Sequence, residues 1–178
     1  MNHFSLFNLP IQYHLNTKTL KQLYIQQAQQ THPDYFTLTD QETQQNATNA
    51  SAQLNIAYNT LANPTKRLEH ILTLYDLLNK DNTNKKLSQQ FLMKMLEINE
   101  LIEELKQKPD PKTLAQTQQQ INNLLNINQQ QIENNMQSFD TLTNEALRKE
   151  KLSTVLQLYL EQKHLLRLCE NLANFAPV

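Results

Sequence analysis

The chain has 178 residues with a formal net charge of -1, and none of its residues is glycine. A near-neutral charge gives no general argument for a nucleic-acid partner or an anionic membrane. Phosphate-cradling loops generally rely on glycine for positive φ and close backbone approach. The composition therefore argues against a nucleotide-binding enzyme.

No targeting or membrane segment is visible in the sequence. Its start, Met1-Asn2-His3-Phe4, lacks the basic and apolar regions of a signal peptide. No apolar run approaches the roughly 20 residues that cross a bilayer. The one cysteine, Cys169, excludes an internal disulfide framework and is typical of a reducing compartment. We therefore expect a cytoplasmic protein without a membrane partner.

A helical hairpin is predicted in the N-terminal part of the chain. A short apolar helix covers residues 2–9, and a second helix runs from about Thr17 to Thr31. Pro33 disfavours the helical conformation for His32, so the second helix ends at Thr31 or His32. The residues expected to face inward on it are Leu20, either Leu23 or Tyr24, and Ala28.

Two further helices complete the first domain. The third runs from about Asp40 to Ala62 and follows a capping-box pattern, Thr39-Asp40-Gln41-Glu42. The fourth begins at Pro64 after Asn63 as N-cap, and Lys66-Arg67 indicates a solvated helix start. The inward residues are Ala47, either Ala52 or Leu54, Ala57, Tyr58 and Leu61 on the third helix, and Leu68, Ile71, Leu72 and Tyr75 on the fourth.

A second domain is predicted after the polar stretch at 80–84. The expected division is a first domain at 1–76, a linker at 77–86 and a three-helix bundle at 87–178. Asp110 is the expected N-cap of the middle helix, and a break around 138–140 precedes the last one. The inward seams are Phe91, Met95, Ile98, Ile102 and Leu105; Leu114, Ile121, Leu124, Leu125, Ile132 and Met136; and Leu142, Ala146, Leu152, Val155, Leu156, Tyr159, Leu166, Cys169 and Leu172.

His32-Pro33-Asp34 is the candidate functional loop, because proline stiffens an exposed connection that carries an imidazole and a carboxylate. His32 and Asp34 could act as an acid and a base. However, residues two apart in an exposed loop scarcely form a water-excluded site, and no Ser or Cys nucleophile is placed beside them. The remaining histidines and Cys169 show no zinc-ligand spacing. We expect neither an enzyme nor a cofactor.

The first bundle helix has more apolar residues than one seam uses. Beside the seam lie Leu92, Met93 and Leu96, continued at helical spacing by Glu97, Glu100 and Glu104. An apolar patch that runs into an acidic ridge suits a protein partner with an apolar anchor and a basic rim. Spacing alone leaves a second interpretation equally open, in which Leu92 and Leu96 pack against the first domain and the glutamates are solvated.

These features, in this order, resemble the HscB family, the Jac-type J-domain co-chaperones of iron–sulfur cluster assembly, over essentially the whole chain. The loop indicates a J-domain, and the bundle residues point to this family. The resemblance implies an all-α fold: an N-terminal J-domain, in which an antiparallel helical hairpin presents the loop, followed by a C-terminal three-helix bundle. The matching residues are Phe4 to Pro10, His32-Pro33-Asp34 with Phe36, Ser51-Ala52 through Leu61, Pro64 with Arg67, and Phe91-Leu92-Met93 through Glu97, Glu100 and Glu104.

The resemblance also implies two protein partners. A specialised 70-kilodalton heat-shock chaperone of the HscA type would bind the loop and have its ATP hydrolysis stimulated; the residues involved would be His32, Pro33 and Asp34, with Lys18 and Lys21. The iron–sulfur cluster scaffold, of the IscU type, would bind the bundle through Leu92, Met93, Leu96, Glu97, Glu100 and Glu104, with a further contact from Val155 or Leu156. The alternative function is a J-domain co-chaperone with a different client.

The second helix departs from the family pattern. The family usually displays a strongly basic face there, whereas here Lys18 and Lys21 are accompanied by Gln22, Gln26, Gln29 and Gln30. Tyr35 occupies a position where a basic residue is common. We therefore expect weak electrostatic steering of the chaperone encounter. No cysteine pair precedes the loop, so we expect no zinc-binding extension of the kind that some eukaryotic members carry.

Overall fold

The computed structural model describes residues 1–37, 39–78 and 87–175. The chain divides into two compact units, Met1–Asp76 and Leu77–Val178. Within the described ranges every regular element is helical, which confirms the predicted all-α class. Residues 79–86 of the predicted linker lie outside the described residues.

The described residues of the first unit form four helices, and α2 has the bounds that the sequence predicts. They are α1 (His3–Leu6), α2 (Thr17–Thr31), α3 (Gln41–Ala62) and α4 (Pro64–Leu74), with a short 3₁₀ turn at Pro33–Phe36 between α2 and α3. The second unit contains α5 (Gln89–Gln107), α6 (Pro111–Thr141) and α7 (Glu145–Phe175).

Helices α2 and α3 form an antiparallel hairpin. The ring of Tyr24 stacks on Tyr58 with 4.3 Å between centroids, and its hydroxyl donates to Asn55 Oδ1 at 2.7 Å. These contacts join residues well before the loop to residues well after it, so the two helices run in opposite directions. Leu54 is buried and Ala52 exposed, which settles the inward residue that the spacing left open.

Asparagine and aspartate cap helices and occupy the positive-φ positions in this glycine-free chain. Asn16 Oδ1 accepts the backbone N–H groups that begin α2, at 3.0 and 3.2 Å. The predicted capping box begins one residue too early, because Asp40 is the N-cap and its carboxylate accepts the Thr43 N–H at 2.9 Å. Asn8 and Asp76 have φ of 53° and 56°, in the left-handed region that these residue types tolerate best after glycine.

Arg67 is buried in the first unit, so the prediction of a solvated helix start is wrong for this residue. Its side chain is only 4% exposed. Nε donates to the carbonyl of Leu61 at 2.7 Å, and Nη1 donates to the carbonyl of Tyr13. The guanidinium also lies 5.7 Å from the centroid of the Tyr13 ring. One buried cation therefore ties the segment before α2 to the junction of α3 and α4.

The second unit is a bundle of α5, α6 and α7. Two hydrogen bonds join α6 to α7. The side-chain amide of Asn128 donates to the carbonyl of Leu158 at 3.0 Å, and the side-chain amide of Gln162 donates to Gln129 Oε1 at 2.7 Å. One end of its core contains Met95, Ile98, Ile102, Leu105, Ile121, Leu165, Leu168 and Leu172. The apolar seams of the three helices thus meet as their spacing predicts.

Two details of the bundle correct the predicted seams. Helix α6 continues past the expected break to Thr141, because Phe139 is fully buried and the Arg148 guanidinium lies 4.5 Å from its ring centroid. Ala146 and Leu166, both expected to face inward, are exposed on α7, and Leu165 and Leu168 take the inward positions around Leu166. Among the described residues, no helix combines the length and the apolar character that crossing a bilayer needs.

Candidate interaction surfaces

The candidate loop is built from short-range hydrogen bonds. Helix α2 ends at Thr31, whose hydroxyl donates to the carbonyl of Gln27 at 3.0 Å. His32 is extended, with φ -64° and ψ 125°, as expected before proline. The chain then turns through Pro33–Phe36, where the Tyr35 N–H donates to the carbonyl of His32 at 3.1 Å. This turn places the imidazole and the carboxylate side by side.

His32 and Asp34 contact each other at the tip of the loop. Nδ1 of His32 lies 3.3 Å from the backbone nitrogen of Asp34 and 3.5 Å from its Oδ2. A neutral imidazole protonated on Nε2 accepts the backbone N–H, whereas a protonated imidazole donates to the carboxylate, so either charge state has a partner. The two side chains are 54% and 81% exposed. This exposure suits contact with a partner rather than a water-excluded acid–base site.

Gln44 on α3 ties the far side of the loop to the hairpin. Its side-chain amide donates to the carbonyls of Thr37 at 3.2 Å and Thr39 at 2.9 Å. The hydroxyl of Thr37 in turn donates to the carbonyl of Asp34 at 3.3 Å. A chain of hydrogen bonds therefore runs from α3 back to the tip. Helical spacing carries no signal for Gln44, because its role depends on where the loop lies in space.

The outer face of α2 carries the two lysines that the sequence associates with the loop. Lys18 and Lys21 are both exposed and lie three residues apart, which places them on one side of the helix. Lys21 lies eleven positions before His32, or about 16 Å along the helix axis. The structure thus brings His32 and Asp34 together and leaves the lysines at the other end of α2.

The apolar patch on α5 is solvent-exposed. Leu92, Met93 and Leu96 are 50%, 59% and 60% exposed. Glu97, Glu100 and Glu104 are exposed on the same side of the helix. The opposite side is buried in the bundle through Met95, Ile98, Ile102 and Leu105. We use the name α5 patch for Leu92, Met93, Leu96 and the three glutamates.

Val155 and Leu156 do not form an exposed surface comparable to the α5 patch. Val155 is fully buried and Leu156 is buried as well, on the inward side of α7 with Leu152 and Tyr159. The structure therefore corrects the expectation of a partner contact from either residue, because a side chain already packed in the core presents no area to a partner.

The comparisons with known proteins agree with this organisation. Residues 87–173 match the family described as the HSCB C-terminal oligomerisation domain. A co-chaperone protein HscB homologue of Shewanella halifaxensis is 38% identical over 112 residues, 62% of this chain and 64% of that protein. Its counterpart in Shewanella amazonensis is 33% identical over 114 residues, 64% and 66% of the two chains. The chain thus covers slightly less than two thirds of these relatives.

Two solved structures share the fold along nearly the whole chain. Chaperone HscB from Vibrio cholerae superposes with a TM-score of 0.74 at 23% identity, covering 98% of this chain and 96% of that one. The human co-chaperone protein HscB gives a TM-score of 0.74 at 20% identity, covering 98% and 81%. At sequence identities this low, the similarity to these two structures shows a shared fold and nothing further.

The helical hairpin with its His-Pro-Asp loop, followed by a helical C-terminal domain, has the fold of a J-domain joined to a helical bundle. The C-terminal part of the chain, residues 87–173, belongs to the HSCB C-terminal family. The chain as a whole is similar to HscB co-chaperones. The Shewanella relatives and the human protein are named as co-chaperones, and the Vibrio cholerae protein is named as a chaperone.

Proposed function

We propose that this protein is an adaptor between two partners. The loop engages a specialised 70-kilodalton heat-shock chaperone of the HscA type and stimulates its ATP hydrolysis. The α5 patch binds the iron–sulfur cluster scaffold, of the IscU type, and delivers it to that chaperone. The proposal rests on one observation: the chain has both an exposed, hydrogen-bonded loop and an exposed apolar helix face flanked by glutamates.

The geometry of the loop suits docking to a cationic site on the chaperone. The exposed carboxylate of Asp34 offers a charge-assisted acceptor to an arginine or lysine. The bonds from Gln44 through Thr37 to the tip limit the conformations that docking must remove. The protein needs no cofactor and no catalytic residue of its own for this role, because the chaperone carries out the hydrolysis.

The α5 patch suits an apolar scaffold surface with a basic rim. Burying a half-exposed leucine or methionine contributes roughly 1 kcal/mol, so three such residues supply about 3 kcal/mol of binding free energy. The glutamates add orientation and a faster encounter more than affinity. Joining both surfaces in one chain raises the effective concentration of scaffold near the chaperone without a new contact.

The one cysteine is compatible with our proposal that the adaptor acts in the cytoplasm.

The steady-state ATPase rate of an HscA-type chaperone, with and without an IscU-type scaffold, tests the proposal. We expect the wild type to stimulate hydrolysis, and scaffold and adaptor together to stimulate it more than the sum of their separate effects. His32→Gln should abolish the contribution of the adaptor. His14→Gln, which changes an exposed histidine outside the loop, should retain it.

The result also separates the proposal from its alternative. Stimulation that requires His32 but ignores the scaffold would retain the J-domain function and assign a different client. Wild-type protein that does not stimulate the chaperone at all would refute the proposal.

A further inference from the structure

Two carboxamide side chains are buried between α6 and α7. Asn128 is only 4% exposed and Gln162 only 5%. Within the described part of the chain, Asn128 Oδ1 and Gln162 Oε1 accept no hydrogen bond. A buried polar atom without a partner raises the free energy of the folded state. Stability alone would therefore favour apolar residues at both positions.

The rest of the contact between α6 and α7 is largely apolar. The buried residues are Thr117, Ile121, Ile132, Met136 and Phe139 on α6, and Leu152, Val155, Leu156, Tyr159, Leu165, Leu168 and Leu172 on α7. Because they follow helical spacing, sliding one helix along the other by a turn would again place apolar side chains opposite apolar side chains. The apolar seams alone therefore distinguish poorly between neighbouring registers.

The connection between the two helices permits such a slip. Three residues, 142–144, separate Thr141 from Glu145, and the four Cα–Cα steps between these ends reach about 13 Å when extended. Packed helices lie about 8–10 Å apart, so the connection still reaches after a slip of one turn, about 5.4 Å. Another feature must determine the register.

The pair Gln129–Gln162 is specific to one register. Asn128 donates to the backbone carbonyl of Leu158, a kind of acceptor that every turn of a helix offers. Gln162 instead donates to a side chain, Gln129 Oε1, at 2.7 Å. The residues four positions before and after Gln162 are Leu158 and Leu166. A slip of one turn would therefore separate the two glutamines and place leucine opposite Gln129.

The position of α5 depends on this register. Its buried residues Met95, Ile98 and Ile102 share one core cluster with Ile121 on α6 and Leu165 on α7. Because the cluster takes residues from both helices, a slip of α7 against α6 would change the surface on which α5 packs.

We propose that the pair Gln129–Gln162 determines the axial register of α6 against α7, and with it the position of α5. A single buried polar pair can determine register while it lowers stability, because every other alignment leaves its groups unpaired. The inference concerns the bundle alone, so it does not depend on the proposed function.

The test measures the register as a distance between two spin labels. The labels are attached through Gln118→Cys and Lys149→Cys in a Cys169→Ser background, at exposed positions roughly 30 Å apart along the axis of the two helices. Gln129→Leu combined with Gln162→Leu removes the pair. We expect a second distance, displaced by about 5 Å, beside the single wild-type distance, and a urea midpoint no lower than that of the wild type.

Two further variants sharpen the test. Thr117→Val is the matched control, because the Thr117 hydroxyl is also buried but donates within its own helix, to the carbonyl of Thr113 at 2.9 Å. It should retain the single wild-type distance. Leu158→Gln combined with Gln162→Leu moves the partner of Gln129 by four residues, and it should give one distance displaced by about 6 Å.

The outcomes decide the proposal. The wild-type distance alone in both double variants would overturn it, because the apolar seams or the connection would then determine the register. Two distances in Thr117→Val would also overturn it, since any lost buried polar group would then have the same effect. If Gln129→Leu/Gln162→Leu loses its helical circular dichroism, the relocated pair decides: a displaced distance supports the proposal, and the wild-type distance overturns it.

Discussion

The loop and the α5 patch are built in different ways. The loop positions its imidazole and carboxylate through a series of specific hydrogen bonds, from Gln44 through Thr37 to the tip. The α5 patch has no such support, because the regular helix alone decides which side chains point outward. The loop therefore depends on the exact positions of a few atoms, whereas the α5 patch depends on exposed apolar area.

This difference makes the two regions sensitive to different changes. Substitutions that remove a supporting polar contact should impair the first unit even where they touch no partner. Truncations on the α5 patch should reduce binding and leave folding unchanged.

The largest effect is expected at Arg67. Arg67→Ala leaves the carbonyls of Leu61 and Tyr13 without this donor in a buried site, and the first unit should lose about 3 kcal/mol of unfolding free energy. Urea unfolding followed by circular dichroism measures the loss. Lys66→Ala, one residue earlier and exposed, is the control and should change stability by less than about 0.5 kcal/mol. A similar small loss for Arg67→Ala would mean that the buried cation contributes little.

The next effect is loss of scaffold binding. Leu92→Ala combined with Leu96→Ala removes two of the three apolar members of the α5 patch, and we expect scaffold affinity to fall about 100-fold, or about 2.7 kcal/mol. Calorimetric titration measures the affinity. Ile127→Ala combined with Leu147→Ala removes two comparably exposed residues elsewhere in the bundle and should have little effect. Equal losses in both double variants would contradict a localised site.

A smaller effect is expected from the support of the loop. Gln44→Ala removes the bonds to Thr37 and Thr39, so the tip becomes less ordered before docking. We expect chaperone stimulation at subsaturating concentration to fall about fivefold, near 1 kcal/mol, with scaffold affinity unchanged. Gln45→Ala removes only a contact to Asn49 within α3 and serves as the control. Unchanged stimulation in Gln44→Ala would show that the loop orders itself without α3.

The smallest effect concerns pH. Burial first, then the charges of His3 and the N-terminus, lower the pKa of His70 from 6.5 to about 4, and its Nε2 accepts the His3 N–H at 3.1 Å. The imidazole of His70 takes up a proton more readily in the unfolded state than in the folded state. The free energy of unfolding is therefore undiminished above pH 6.5 and falls as the pH decreases toward 4. Because the site is partly exposed, we expect the wild type to lose less than about 1 kcal/mol of unfolding free energy between pH 7 and pH 5. Unfolding at pH 7 and 5 should show a smaller loss for His70→Gln than for wild type.

Much of this architecture follows from the sequence, and the exceptions have a common cause. The bounds of α2, the N-caps Asn63 and Asp110, and most inward residues agree with local patterns. The burial of Arg67 could not be predicted, because its acceptors lie on segments brought together only by the fold.

The bundle shows the same limit. Val155 and Leu156 carry an apolar spacing that is compatible with core or surface, and only the packed bundle decides between them. Likewise, the residue at which α6 ends depends on the burial of Phe139 beside Arg148, a contact across two helices. Local propensity describes the elements well, while contacts between elements decide the rest.

A mixing experiment tests the adaptor claim most directly. His32→Gln and the Leu92→Ala/Leu96→Ala variant are combined in equal amounts with chaperone and scaffold, at a concentration at which sedimentation shows monomers. Because an adaptor needs both surfaces in the same chain, we predict that the mixture does not recover the synergistic ATPase stimulation of the wild type. Recovery to the wild-type rate would contradict the account, because it would show that the loop and the α5 patch act independently.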